Sequence, residues 1–125
     1  VEKREDFAFE TTLSGKTYLK LAHRLLTQGW QVNLYYLWLP SVQMSLDRVA
    51  ERVAKGGHSI PREAVIRRYP RSISNLLNHY AALCSHTICF DNARTAPQVI
   101  FTQTPLEHNI VDKQAYQRIL EQSGD

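Results

Sequence analysis

Apolar residues are arranged along the chain in short runs that alternate with helix-like stripes. The strongest run covers residues 30–39, where most positions are apolar. A continuous run of this kind is typical of a strand that is covered on both faces, as in a parallel sheet. Shorter runs predict a first strand at residues 7–9 and two further strands at 87–90 and 98–102, paired as a hairpin across residues 93–97.

Two amphipathic helices are predicted between the first strands, because apolar residues recur there at helical spacing. The first follows a turn that Thr12 or Ser14 can cap, and it ends at Gly29. The second begins at Ser41 and ends at the glycine pair 56–57.

Two more helical stripes follow in the second half of the chain. One starts near Pro61, which suits a first helical turn, and Pro70 is expected to kink or break it. The other covers residues 112–122. This alternation of strands and helices predicts an α/β fold, and the length of 125 residues predicts a single domain over residues 1–125.

The composition is that of an ordinary folded domain. Hydrophobic residues make up 43% of the chain and charged residues 22%, which argues against disorder. No apolar run approaches the roughly 18 residues of a membrane span, and no N-terminal signal pattern is present, so a cytoplasmic protein is predicted. Cys84 and Cys89 lie in an apolar segment without a second ligand pair, which argues against a zinc site, and buried, reduced thiols are favoured over a disulfide.

A possible phosphate-binding loop follows the first predicted strand, where residues 14–17 read Ser-Gly-Lys-Thr. The full P-loop pattern needs a glycine five residues before the Gly-Lys pair, and Glu10 occupies that place. We therefore interpret Lys16 as a solvent-exposed residue at a helix entry. Glu10 is expected to point into the crevice at the carboxyl end of the strand, where ligands of open α/β sheets bind.

The segment of residues 52–71 is strongly basic and is predicted to act as a lid over a phosphate. The glycine pair 56–57 and Pro70 bracket most of it as hinges. Arginine side chains in convergent positions grip phosphate oxygens, so phosphate binding is favoured over a merely solvated helix face. The basic residues are Arg52, Lys55, His58, Arg62, Arg67, Arg68 and Arg71.

A nucleic acid is a competing partner for this basic segment. The net charge of +3 and the isoelectric point near 9.0 suit either kind of anion. However, Tyr69 is the one aromatic residue close to the arginines, whereas a single-stranded nucleic acid requires a series of stacking side chains. The sequence therefore disfavours nucleic acid.

Five segments of the chain resemble the zeta-toxin-type P-loop kinases, in consistent order. They are FAFETTLSG (7–15), YYLWLP (35–40), RVAERVAKGGHSIP (48–61), RRYPR (67–71) and DN (91–92). The resemblance implies a partial P-loop-kinase-like three-layer fold, with a mostly parallel sheet, a terminal hairpin and a helical lid. It also implies phosphoryl transfer from ATP to a hydroxyl of a small substrate, which is a UDP-N-acetylsugar in the zeta toxins.

The same resemblance implies roles for individual residues. Glu10 and Thr11 are expected on the substrate side of the cleft, and Asn92 in the loop near the adenine. The residues expected at the lid, over the ATP phosphates, are Arg52, His58, Arg67, Arg68 and Arg71. ATP and Mg²⁺ are the cofactors that the resemblance implies, and an antitoxin is an implied protein partner.

The matching segments do not include the N-terminal parts of such kinases. The P-loop, its Mg²⁺-binding Ser or Thr and the catalytic base precede the matching segments and are not found after Val1. Phosphoryl transfer depends on them, so the chain is expected to be a C-terminal portion of a kinase that is inactive alone. The alternatives left open are a non-catalytic nucleotide-binding or protein-interaction relic and a nucleic-acid-binding module.

The missing P-loop strand also has a structural consequence. In the resembled fold it lies between the strands at 7–9 and 32–39, and unpaired strand edges recruit partners. We therefore predict one of three outcomes. The two strands pair directly, the chain forms a homodimer through the gap, or an N-terminal kinase fragment completes the sheet.

Overall fold

The computed structural model describes residues 8, 10, 11 and 13–123 of the chain. The elements are α1 (Thr17–Thr27), β1 (Asn33–Trp38), α2 (Val42–Ala54), α3 (Arg62–Asn75), a π-helical segment (Leu76–Tyr80), α4 (Ala81–Leu83), β2 (His86–Asp91), β3 (Gln98–Gln103), β4 (His108–Ile110) and α5 (Lys113–Gln122). The predicted α/β class is confirmed. Of the first strand expected at residues 7–9, positions 7 and 9 lie outside the described residues, and Ala8 is not in a strand.

The four strands form one open sheet in the order β1-β2-β3-β4. β1 and β2 are parallel, whereas the β2–β3 and β3–β4 pairs are antiparallel. The prediction of a mostly parallel sheet is therefore wrong. The physical reason is the length of the connections, because only β1 and β2 are joined through helices, and the short loops after β2 and β3 permit antiparallel pairing alone. The predicted hairpin of β2 and β3 is confirmed.

β1 is buried on one face only. Tyr36 and Trp38 face the core, whereas Tyr35 and Leu37 are 63% and 57% exposed on the other face. The expectation that residues 30–39 are covered on both faces is therefore wrong for the described structure. The run is apolar because its open face carries apolar side chains too, and the described elements do not confirm a three-layer arrangement.

Helices α3 and α5 and the π-helical segment cover the buried face of the sheet. Ile73, Phe101 and Ile119 are fully buried there and belong to one hydrophobic cluster. The ring of Phe101 also meets His108 and Tyr116 edge-on, at centroid distances of 5.3 and 5.4 Å. These contacts attach the short strand β4 and helix α5 to the centre of the sheet.

Gln122 connects three elements at the carboxyl end of β1. Its Oε1 accepts a hydrogen bond from the Trp38 indole N–H at 3.0 Å and lies 3.0 Å from the Tyr69 hydroxyl. Its Nε2 donates to the Pro40 carbonyl at 2.7 Å. The side chain thus satisfies a buried indole and joins α5 to α3 and to the strand end.

The ends of α2 follow the sequence prediction. The Ser41 hydroxyl caps the helix by accepting from the Met44 N–H at 3.2 Å. At the other end Gly56 has a φ of +94°, and the Gly57 N–H donates to the Arg52 carbonyl at 2.7 Å. This is a Schellman motif, which favours glycine at the left-handed position.

The cap of α1 differs from the prediction. Lys16 is the N-cap residue and no side-chain cap is described for this helix, so Ser14 is not its cap; Thr12, the other residue expected to cap it, lies outside the described residues. In contrast, α5 begins as predicted after residue 112. The Asp112 carboxylate caps it by accepting from the Ala115 N–H at 3.1 Å.

Helix α3 continues through Pro70, so the predicted break at this residue is wrong. Proline removes one helical hydrogen bond, but residues on both sides of Pro70 contact the same hydrophobic cluster. Tyr69 packs against this cluster just before the proline, and Ile73 and Leu76 belong to it after the proline. Packing therefore holds the helix together across the proline, and Pro70 is not a hinge between separate elements.

The remaining global predictions concern the thiols and the membrane. Cys84 and Cys89 are both free and buried, as predicted. Among the described helices, none combines the length and the apolar character that crossing a bilayer requires.

Candidate functional site

The turn that leads into α1 is held in an unusual conformation at Leu13. Its φ is +56°, a left-handed value that costs a non-glycine residue on the order of 1 kcal/mol. The leucine side chain is buried in the core, which offsets this cost. The Leu13 N–H donates to the Thr11 hydroxyl at 3.2 Å, and the Leu13 carbonyl accepts from the buried Asn75 side-chain amide at 2.6 Å.

A second bond attaches the same turn to the π-helical segment. The Tyr80 hydroxyl donates to the Gly15 carbonyl at 3.2 Å. Burial raises the pKa of Tyr80, so the hydroxyl stays a donor through the physiological range. Asn75 is the last residue of α3 and Tyr80 ends the π-helical segment, so both anchors are supplied by one continuous helical region.

A cavity of about 440 Å³ opens between this turn and α3. The volume lies within the range of roughly 300–1,000 Å³ that is typical of small-molecule sites. The lining residues are Ser14, Lys16, Pro70, Arg71, Ser74, Asn75 and Ser123. The described lining residues include two cations and no acid, so they suit an anionic ligand.

Of the predicted site residues, Arg71 is the one that lines this cavity. Arg67 is exposed four residues earlier on α3, and because the helix is continuous, the two share one face. Arg68 is half-buried on the neighbouring face.

The other predicted lid residues lie in the connection between α2 and α3. Arg52 is exposed in the last turn of α2, where its carbonyl accepts the Gly57 N–H. His58 is exposed in the loop that follows. Neither residue lines the cavity, so the described structure does not gather the five lid residues at one point.

The residues predicted to lie near the substrate and the adenine do not line the cavity. Glu10 and Thr11 are exposed just before the anchored turn, and the Thr11 hydroxyl is engaged by the Leu13 N–H. Asn92 follows β2, where its N–H donates to the Trp38 carbonyl at 2.8 Å and its carbonyl accepts from Arg48 at 2.9 Å. Asn92 thus stabilises the carboxyl end of the parallel strand pair.

Sequence reasoning did not assign Lys16 and Asn75 to a site. The signal for Lys16 was present in the Gly15-Lys16 pair, but the P-loop pattern was the only reason to consider it. Asn75 had no local signal. Its amide becomes important because the chain brings Leu13 to the end of α3, which no local pattern reports.

The described lining residues do not by themselves form a magnesium site. Magnesium is held by carboxylates and phosphates, and no carboxylate is among these described residues. Within residues 13–123 and the described positions before them, no three His, Cys, Asp or Glu side chains come together as a metal site.

Tyr69 does not provide a stacking surface beside the arginines. It is half-buried, and its hydroxyl donates to the Leu39 carbonyl at 2.5 Å and contacts Gln122. Nucleic-acid binding by stacking needs exposed rings, so the position of Tyr69 disfavours this alternative.

Comparison with known proteins gives limited information. No protein-family description and no solved structure matches the chain. A Haemophilus influenzae protein described as an uncharacterized protein is 32% identical over 69 residues, which cover 55% of this chain and 49% of that protein. The chain therefore spans about half the length of this curated relative.

Proposed function

We propose that this chain is the substrate-and-lid portion of an ATP-dependent small-molecule kinase that resembles the zeta toxins. In this proposal α3 binds the phosphates of the nucleotide. The observation that carries it is the meeting of the turn after Glu10 and Thr11 with the arginine-bearing helix. That turn is bonded to Asn75 and faces Arg71 across the cavity.

The strand ends support the same proposal. β1 and β2 are parallel, and their carboxyl ends lead into Pro40 and Asn92. Open α/β sheets bind ligands at the carboxyl ends of parallel strands. A nucleotide whose adenine lies near Asn92 is therefore a chemically reasonable ligand.

The free edge of β1 supports the assignment to a larger fold. β1 is an edge strand of the described sheet, and the resemblance expects the P-loop strand beside it. We propose that this strand, from an N-terminal kinase portion, pairs with β1, and that a third layer covers Tyr35 and Leu37. Phosphate positioning by the P-loop and its Mg²⁺ then comes from outside this chain.

Nucleotide binding is tested with the purified chain and ATP. ATP is expected to raise the melting temperature, because a ligand that binds only the folded state stabilises it. Arg67→Ala is expected to reduce this rise, and to leave the melting temperature without ATP unchanged, since Arg67 is exposed. Arg24→Ala removes an exposed arginine on α1, outside the cavity lining, and serves as the control.

Two results would contradict the proposal. The first is the absence of any ATP-dependent stabilisation, and the second is an equal loss of it in Arg67→Ala and Arg24→Ala. In a separate assay, the chain alone should not phosphorylate UDP-N-acetylglucosamine with ATP. Robust transfer would show that the missing P-loop is not required.

A further inference from the structure

Lys16 and Arg71 come from distant parts of the sequence and line the same cavity. We propose that these two cations form a subsite for the diphosphate group of a nucleotide or nucleotide sugar, with Lys16 as a ligand-binding residue. The inference rests on the proposed function for the source of the diphosphate. The subsite itself can be tested without any phosphoryl transfer.

Among the described residues, nothing neutralises either cation. Neither the Lys16 nor the Arg71 side chain makes a hydrogen bond or ion pair with them, and both side chains are exposed at the cavity. The remaining lining residues are serines, an asparagine and a proline. A dianion bound in this concavity would be attracted by both charges.

The walls that carry the two cations are fixed relative to each other. Lys16 follows Gly15, whose carbonyl is held by Tyr80. Arg71 lies one turn before Asn75, which holds the Leu13 carbonyl. Because the Leu13 side chain is itself buried, the entry to α1 and the end of α3 are positioned before a ligand arrives, which lowers the entropic cost of binding.

This subsite differs physically from a P-loop. A P-loop holds phosphate through successive backbone N–H groups, which require its glycines. Here the charge is supplied by two side chains, so the missing glycine at position 10 is no obstacle. The carboxylate of Glu10 does not line the cavity either. A lysine gives a compact charge and an arginine a planar fork, and together they suit adjacent phosphate groups.

The experiment titrates inorganic pyrophosphate into the purified chain at low ionic strength, by calorimetry and by amide NMR. Lys16→Ala and Arg71→Ala are each expected to weaken binding about tenfold, as the loss of a charge-assisted hydrogen bond predicts. In the native chain, pyrophosphate should shift the amide signals of Gly15, Lys16 and Ser74. Lys20→Ala is the matched control on α1, because Lys20 is exposed and lies outside the cavity lining.

Conservative variants keep the test valid if an alanine variant fails to fold. Lys16→Gln keeps the length of the side chain without its charge and should bind as weakly as Lys16→Ala. Arg71→Lys keeps the charge and should bind more tightly than Arg71→Ala. Undetectable binding to the native chain, or equal weakening by Lys16→Ala and Lys20→Ala, would overturn the subsite.

Titrations with ATP and with UDP-N-acetylglucosamine identify the source of the diphosphate. The ligand whose affinity falls in Lys16→Ala is the one bound by this subsite, and insensitivity of both ligands overturns the inference. If Lys16→Ala weakens the affinity for pyrophosphate, but ATP gives no rise in melting temperature that depends on Arg67, the subsite stands and the ATP-lid proposal fails. If ATP gives such a rise and Lys16→Ala leaves the affinity for pyrophosphate unchanged, the subsite alone fails.

Discussion

Burial keeps the hydroxyl and thiol groups of the core protonated. It raises the pKa of Cys84 to about 11 and that of Cys89 to about 12. The pKa of Tyr69 is raised to about 12 for the same reason, and that of Tyr36 is raised as well, although its hydrogen bond to Ser72 acts in the opposite direction. These groups support packing, and the two thiols are not poised as nucleophiles.

We predict that the unfolding free energy falls as the pH rises above about 8.5, where a thiol of the unfolded chain begins to ionise. In this window the unfolded state has released thiol protons that the folded state still holds. It therefore binds fewer protons, and stability decreases with pH toward the folded-state values of about 11 and 12. Chemical denaturation at a series of pH values measures the effect.

The thiol contribution can be separated from that of the tyrosines. Cys84→Ala removes one titrating group, so the decline in stability between neutral and alkaline pH should be shallower than in the native chain. In the native chain at neutral pH, a thiol reagent should label Cys84 and Cys89 only after denaturant is added. Rapid labelling of the folded protein, or stability that rises with pH, would contradict the prediction.

Among the helices, the connection between α2 and α3 depends on two glycines that act differently. Gly56 adopts the left-handed conformation. Gly57 is needed for space, because a Cβ atom at this position would lie 2.8 Å from the Arg52 carbonyl oxygen. The same carbonyl accepts the Gly57 N–H, so a side chain there disturbs both the packing and the helix end.

Gly57→Ala is expected to lower the unfolding free energy by roughly 1–2 kcal/mol, since backbone atoms must move to relieve the contact. Gly15→Ala is the matched control. A Cβ at Gly15 meets nothing within 4 Å, and its φ is not positive, so this substitution should be nearly neutral. Urea denaturation measures the unfolding free energy of the two variants. Equal losses in both would show that the close contact at Gly57 does not cause the destabilisation.

Helix ends could be predicted where the residues that cap them are close in sequence to the helix. Ser41, Asp112 and the glycine pair 56–57 marked helix ends through their caps, and the structure confirms them. The break at Pro70 was wrong because tertiary packing on both sides outweighs the lost hydrogen bond. β4 was missed because it has only three residues, all exposed, and is held by pairing with β3.

The candidate site was predictable only in part, for a related reason. Arg71 was found because arginine chemistry is visible in a sequence. Its neighbour Lys16 was set aside, since the charge of a lysine at a helix entry means little until the fold brings a second cation beside it. Pairs that are distant in sequence, such as Leu13 with Asn75, leave no periodic pattern to read.

At the scale of the whole molecule, the described sheet has an open edge and an open face at the same strand. β1 has no strand partner on its outer side among the described residues. Tyr35 and Leu37 expose apolar surface on the adjoining face. Unpaired backbone groups beside apolar side chains favour association with another chain.

We predict that the isolated chain self-associates through β1 as its concentration rises. Leu37→Lys should reduce this association, because a charge on the open face opposes its burial. Leu106→Lys is the control, since Leu106 is 95% exposed in the loop between β3 and β4, away from that strand. Size-exclusion chromatography with light scattering gives the mass, and a monomer at every concentration would contradict the prediction.

The amide of Gln122 restricts how the arginine-bearing helix can respond to a ligand. Through Tyr69, it ties the middle of α3 to the carboxyl end of β1 and to α5. A large swing of α3 would break the contacts of the Tyr69 hydroxyl with the Leu39 carbonyl and with Gln122, which makes such a movement energetically costly. Under the proposed lid function, adjustment to a phosphate therefore falls to the segment at residues 55–61, which these contacts do not hold and where His58 is exposed.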